Sequence, residues 1–354
     1  SFLLISAMSF AQEEGQTNAK TGHKNNNKFK QLYDEFSTPN MFRTASGAPG
    51  PAYYQQQADY KMDIELDDEN ARLYGSETIT YSNNSPDELK YLWVQLDQNM
   101  RAKDSKTPLI QGSGYRSATS ASRFVGAYMK EPFDGGFNIT SVTNTDGSEL
   151  SHTLNQTMMR INLPKPLESG ETFSFNVKWW YNINNHRTQG GRSGFEHFEK
   201  DNNNNYVIAQ FYPRMCVYDN VEGWQNDQFW GRSEFALEFG DYDVAITVPE
   251  DHIVASTGRL QNSESVLTKV QRQRLAQAEN SFDKPIMIVT VDEATANEKS
   301  KSTKSKTWHY TAKNVRDFAF ASSRKFIWDA QAVQLETNKV MAMSFYPKEG
   351  LPVW

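Results

Sequence analysis

Phe173-Ser174-Phe175-Asn176-Val177-Lys178-Trp179-Trp180-Tyr181 decides the fold class of this chain. Phe173, Phe175, Val177, Trp179 and Tyr181 alternate with Ser174, Asn176, Lys178 and Trp180. Successive side chains of an extended chain point to opposite faces, so a period of two describes a strand with one apolar face. Trp180 interrupts the polar set, and the expectation is that it packs against a second layer on the other face.

Upstream, Met158 to Leu163 reads as a strand closed by Pro164 and Pro166. Phe137 to Thr143 is another, followed by a hairpin-type Asp146-Gly147 turn. Tyr60, Met62, Ile64 and Leu66 alternate with Lys61, Asp63, Glu65 and Asp67. Asp68-Glu69-Asn70 then turns the chain, and Leu73 to Ser82 pairs back until Asn83-Asn84-Ser85-Pro86 ends it. Tyr91 to Leu96 is a further strand, and Gln98 to Phe133 is loop-like.

Downstream, His186 to Gly194 and Asp201 to Asn205 read as loops. Glu264 to Ala278 is rich in helix formers with a thin stripe of Val266, Leu267, Val270 and Leu275, a surface helix. Ile286 to Val291 predicts a buried strand, and Glu293 to Lys306 a solvated loop or short helix. Trp308 and Tyr310 mark a strand, Val315 to Trp328 fits either period, and Val340 to Phe345 is the last strand. Strands recurring about every dozen residues with few helices predict a mainly β domain of packed or curved antiparallel sheets.

The chain has 354 residues, enough for one large or two ordinary domains. Only 38% of residues are hydrophobic but 13% are aromatic, and large rings supply core area. A formal charge of −6 argues against a nucleic-acid binder, which needs a basic face. One cysteine, Cys216, excludes an intramolecular disulfide.

Ser1 to Ala11 is apolar and ends in Ser9-Phe10-Ala11, small residues at the positions signal peptidase reads, with Gln12 as the new N-terminus. The expectation is a signal-peptide remnant over residues 1–11 and an exported protein. The run is too short to span a bilayer, so no membrane insertion is expected after cleavage. Residues 12–52 form a disordered or extended linker, with one short helix placed by Phe29, Leu32, Tyr33 and Phe36. Trp354 is an apolar end directly after a strand, and the sequence is expected to be cut at both ends.

Chemistry is sparse. His23, His152, His186, His197, His252 and His309 form no H-E-x-x-H pair and no Cys/His zinc spacing. A strand at Glu196-His197-Phe198-Glu199 would put His197 and Glu199 on one face, and a surface charge cluster is expected there rather than a metal site. No G-x-S-x-G elbow occurs, and Cys216 lies between Met215 and Val217, where a thiol is buried and inert. Arg187, Gly190, Gly191, Arg192 and Gly194 have a phosphate-loop composition without the strand-to-helix context it requires. From the residues alone, this is an exported β-rich domain with no self-sufficient catalytic set.

The stretch from Tyr206 to Gly258 holds the densest aromatic cluster, and its wording is distinctive. It contains Ala209-Gln210-Phe211-Tyr212-Pro213-Arg214-Met215 and Tyr218-Asp219-Asn220-Val221-Glu222-Gly223-Trp224. Gly231-Arg232-Ser233-Glu234-Phe235, Gly240-Asp241-Tyr242, Thr247-Val248-Pro249 and Ala255-Ser256-Thr257-Gly258 follow. With Tyr54 to Tyr60, Thr78 to Pro86, Val315 to Trp328 and Met341 to Pro347, it resembles the N-terminal domain of aminopeptidase N-type zinc metallopeptidases, the gluzincin aminopeptidase family, in its secreted bacterial form. The resemblance covers Tyr53 to Trp354.

The resemblance implies a saddle of β-sheets over residues 53–328, docked on a thermolysin-like catalytic domain whose first strands would occupy residues 329–354. It places the zinc ligands, the general base and the oxyanion-holding Tyr beyond Trp354. No catalytic residue and no metal ligand is then expected in this chain, and zinc belongs to the full-length parent. It implies one functional residue here, Gln210, as the anchor for a substrate's free α-amine. The commoner pattern is Gln-x-Glu or Gln-x-Gln. Here Tyr212 takes the third position, as a second substrate contact. The implied partners are peptide substrates and the catalytic domain. The alternative is a non-catalytic β module of an exported protein that binds peptide or carbohydrate.

Overall fold

The computed structural model describes residues 39–111, 118–121, 124–125, 129, 133–232 and 236–351. The expected signal remnant, residues 12–38 of the expected linker and the helix expected over Phe29 to Phe36 lie outside them, as does part of the stretch from Gln98 to Phe133.

β1 (Gln57–Asp67) and β2 (Arg72–Ser82) form a hairpin through Asp68 to Ala71. β3 (Leu89–Gln95) leads into a 3-10 turn at Asp97–Arg101 and a one-turn helix at Thr107–Gln111. β4 (Asn138–Asn144), β5 (His152–Asn155), β6 (Met158–Leu167) and β7 (Thr172–Asn182) follow. β8 (Gly194–Phe198) pairs with β9 (Asn203–Ile208). Three two-residue strands come next: β10 (Arg214–Met215), β11 (Tyr218–Asp219) and β12 (Gly223–Trp224). β13 (Gly240–Pro249), β14 (Ile253–Ser256), β15 (Arg259–Leu260) and β16 (Ile286–Val289) are interleaved with helices. β17 (Ser305–Val315), β18 (Phe320–Ser323), β19 (Phe326–Gln334) and β20 (Lys339–Pro347) complete the chain.

The fold is mainly β and multi-sheet, as the period of two predicts. A seven-stranded sheet has the order β15-β17-β13-β1-β2-β7-β4. Two four-stranded sheets, β10-β3-β6-β5 and β14-β18-β9-β8, flank it in sequence, with a three-stranded sheet β16-β19-β20 and the β11-β12 pair. Among the described residues every strand pair is antiparallel except β1 with β13, which join in parallel across some 180 residues (Tyr60 opposite Tyr242). β19 runs unbroken across residues 328 and 329, where the resemblance implies a domain boundary.

The inner face of the large sheet is aromatic and dry. Phe175, Val177, Trp179 and Tyr181 of β7 are buried beside Leu73, Ile79 and Tyr81 of β2. Gly75 has no side chain because Trp179 fills its space: a Cβ there would lie 2.2 Å from the indole ring. The outer face is polar, with Thr78 donating to Asn176 at 2.7 Å and Thr80 bonded to Ser174 at 2.8 Å. Trp180 on this face is covered by its neighbours rather than by another layer: the Arg72 guanidinium sits 4.3 Å above its ring and Tyr74 packs beside it.

Several local expectations are corrected. β6 continues through Pro164 and Pro166 to Leu167. The prolines fall between the paired Asn162 and Leu167, where the ladder to β3 slips and no N–H is needed. The stretch Asp201 to Asn205 is half strand, because Asn203 donates to the Glu298 carbonyl and Asn204 to the Tyr206 hydroxyl, replacing lost solvent bonds. The helix over Glu264 to Ala278 breaks in two at Leu267-Thr268, where Thr268 and Gln271 form a capping box for Lys269–Ala278. A second box, Thr290 with Glu293, ends β16 at Val289 and makes Val291–Ser300 a helix. Val315 to Trp328 is extended, split among β17, β18 and β19.

Candidate functional site

Gln210 lies two residues beyond the end of β9. The strand ends there because Ser193 takes over its backbone groups: its hydroxyl donates to the Val207 carbonyl at 3.0 Å and accepts from the Ala209 N–H at 3.1 Å. Gln210 then turns with φ +53°, a left-handed conformation unusual for a residue with a Cβ. Its carbonyl is held by the Gln98 side-chain amide at 2.8 Å. Its own side-chain amide is half-buried and has no partner among the described residues. A strained backbone held by neighbouring structure is one mark of a working position.

Phe211 and Tyr212, the next two residues, are fully buried. Tyr212 stands in the core with its hydroxyl bonded to Tyr242 at 2.9 Å and to Asp317 at 3.0 Å. Gln210 and Tyr212 therefore do not share a surface: one faces outward and the other is committed inward.

Beyond them Arg214 builds a network absent from the sequence reading. Its Nε and Nη2 donate to Asp97 Oδ2 at 3.0 and 2.7 Å, and its Nη1 donates to Asp317 Oδ2 at 2.9 Å. Gln95 donates to the other Asp97 oxygen at 2.7 Å. The Met215 N–H donates to the Tyr60 hydroxyl at 3.0 Å, and the Tyr60 and Tyr242 rings stack 4.8 Å apart. Burial opposes the Arg214 charge, but the Asp97 and Asp317 carboxylates outweigh it and hold its pKa above normal. One signal was available: an arginine inside the apolar run Phe211 to Val217 has to find a carboxylate. Which carboxylates could not be read, since Asp97 and Asp317 lie more than a hundred residues away on either side.

Other candidates resolve into structure. Cys216 is buried, its Sγ 3.7 Å from the Met158 sulfur, and burial pushes its pKa up, away from a nucleophilic thiolate. His197 bonds to Asn204 at 2.8 Å, while Glu196 faces His186 and Arg187, both 3.7 Å away. Asp201, Glu298 and Glu349 converge closely enough for a cation, but the Lys325 ammonium already occupies the centre. It is ion-paired to Asp201, to Glu298 at 2.9 Å and to Glu349 at 3.1 Å. That set has no His or Cys, and the Lys325 and Lys348 ammonium groups already pair with its carboxylates, so the residues described do not fit zinc. What the site offers chemically is hydrogen bonding and positioning, with no activated nucleophile beside a base among the described residues.

No family model matches the chain, and no curated protein matches it. Among solved structures, an M1 zinc metallopeptidase from Deinococcus radiodurans (a mutant form) aligns at TM-score 0.44 and 12% identity. That alignment covers 85% of this chain and 50% of the other. The same enzyme bound to a Tyr-Ser-Ala substrate aligns at TM-score 0.44 and 12% identity, over 83% of this chain and 48% of that one. A two-domain M1 zinc metallopeptidase bound to L-tryptophan aligns at 0.43 and 11%. The chain thus spans about half the length of these structures, and the likeness is a weak one of layout.

Proposed function

We propose that this chain is the N-terminal, cleft-forming part of an exported zinc metallo-aminopeptidase that removes N-terminal residues from peptides. In this reading the zinc and its catalytic machinery belong to a thermolysin-like domain that follows, and Gln210 anchors the substrate's α-amine. The observation that carries it is the state of Gln210. The wording of Ala209 to Trp224 marks this residue, and its backbone carbonyl is held by Gln98 while its side-chain amide has no partner among the described residues. A carbonyl oxygen accepts from an ammonium at about 2.7–3.2 Å, and a charged donor makes that bond worth about 1.5–3 kcal/mol. Export rests on Ser1 to Ala11. Among the described residues no helix is long and apolar enough to cross a membrane.

The test is Gln210→Ala in the full-length parent, assayed with aminoacyl anilides. The expected result is a Michaelis constant raised about ten-fold or more, with kcat little changed. An unchanged constant would reduce Gln210 to a packing residue. Absence of any peptidase activity in the parent would leave the binding-module alternative.

A further inference from the structure

Arg101 closes the 3-10 turn after β3, and its charge is poorly answered. Its guanidinium is half-buried and forms no ion pair with a carboxylate among the described residues. A guanidinium has five N–H donors, yet among the described residues it makes one side-chain hydrogen bond: Nη1 donates to the neutral Gln98 carbonyl at 3.2 Å. Asp97 is nearby, but its oxygens are taken by Arg214 and Gln95.

Three segments meet at this cation. The loop after β7 folds onto it, and a Cβ at Gly191 would stand 2.5 Å from Arg101 Nη2. Gly191 also has φ +92°, a conformation that favours glycine. From the large sheet, Tyr181 brings a hydroxyl that is buried and has no partner among the described residues; burial raises its pKa, and the Arg101 charge opposes that rise. On the third side, the Gln98 amide that accepts from Arg101 donates to the Gln210 carbonyl at 2.8 Å. Arg101 and Gln210 are thus one side chain apart.

We propose that Arg101 and the Tyr181 hydroxyl, backed by the Gly191 turn, form a subsite for a carboxylate of a bound peptide, beside Gln210. A half-buried guanidinium with idle donors and a buried hydroxyl with an idle proton each cost free energy until an acceptor arrives. A planar carboxylate satisfies both, two oxygens on the guanidinium fork and one sharing the phenol. Burial lowers the Arg101 pKa, the direction that a bound anion would reverse. The assignment rests on the peptide reading only for the source of the carboxylate. With Gln210 taking an amine and Arg101 a carboxylate, the preferred peptides carry an acidic group near their N-terminus.

Equilibrium binding to the 354-residue chain separates this from the peptidase question, because no turnover is read. Glycyl-glutamate and glycyl-glutamine, both as C-terminal amides so that they differ only in the side-chain carboxylate, are titrated calorimetrically, with acetate as a third ligand. Glycyl-glutamate is expected to bind about ten-fold more tightly than glycyl-glutamine. Arg101→Gln should abolish the difference, and Tyr181→Phe, which keeps the ring, should shrink it about three-fold. Equal affinity of the two dipeptides for the parent chain overturns the proposal. So does a preference left at its full ten-fold in Tyr181→Phe, which decides the matter alone if Arg101→Gln does not fold. Acetate binding as tightly as glycyl-glutamate overturns the peptide as the source. A failed Gln210 kinetic test with these results intact would remove the amine anchor and leave the carboxylate subsite.

Discussion

Glu77 is the residue whose chemistry is most at odds with its surroundings. It lies on the inner face of β2, paired with Met62 of β1 and Val177 of β7, and neither carboxyl oxygen has a partner among the described residues. Burial pushes its pKa well above the ordinary 4.5. Below that value both folded and unfolded chains hold the proton, and the stability is complete. As pH rises past it, the unfolded chain releases a proton that the folded one keeps. Stability then falls by about 1.4 kcal/mol per pH unit until the buried group ionises. Glu77→Gln removes this slope. Urea unfolding at pH 5 and pH 7 should therefore show the variant gaining stability relative to the parent over that interval, by at most about 1.4 kcal/mol per pH unit. The same difference at both pH values would mean that Glu77 is charged or partnered in the fold. The inward position follows from parity with Leu73, Ile79 and Tyr81, but parity says nothing of a missing partner.

At the scale of elements, β13 shows how a backbone contact selects a sequence. It lies between β1 and β17, and its first residue is Gly240, where a Cβ would come within 1.6 Å of the Ala58 carbonyl oxygen. That carbonyl belongs to β1 and cannot yield. Gly240→Ala is expected to cost about 3 kcal/mol or more, because the parallel β1-β13 pair would have to open. Gly147→Ala is the control: its Cβ meets nothing within 4 Å, and only its left-handed φ is penalised, by about 1–2 kcal/mol. Chevron or urea midpoints of the two variants check this, and comparable losses would refute the steric account. Strands with one wet face were legible, since β1, β2 and β7 alternate. β18 and the first half of β19 were not, because Phe326-Ile327-Trp328 is buried on both faces and carries no period.

Across the whole molecule, Arg214 is the point where separate sheets are tied. It belongs to β10 and grips Asp97, which follows β3, in one four-stranded sheet. Through Asp317 it reaches the link between β17 of the seven-stranded sheet and β18 of the other four-stranded sheet. Arg214 and Asp97 have side chains 5% and 1% exposed, so water cannot replace either partner. Arg214→Met would strand the Asp97 carboxylate and is expected to cost about 3–5 kcal/mol in urea unfolding. Adding Asp97→Asn should recover part of that loss, since the stranded charge is gone. A loss below about 1 kcal/mol in the single variant would show that solvent reaches the carboxylates.

The sequence by itself determined the class of this fold, because alternation is a local property and each strand reports its own wet and dry faces. It also excluded an intramolecular disulfide through its one cysteine. Only the tertiary structure decided that β1 and β13 pair in parallel, that Tyr212 turns inward, and that Arg214 and Arg101 meet such different company. Those outcomes depend on which distant segments are brought within a few ångströms of one another. A hydrogen bond or an ion pair is decided at that range, and no window along the chain contains both partners.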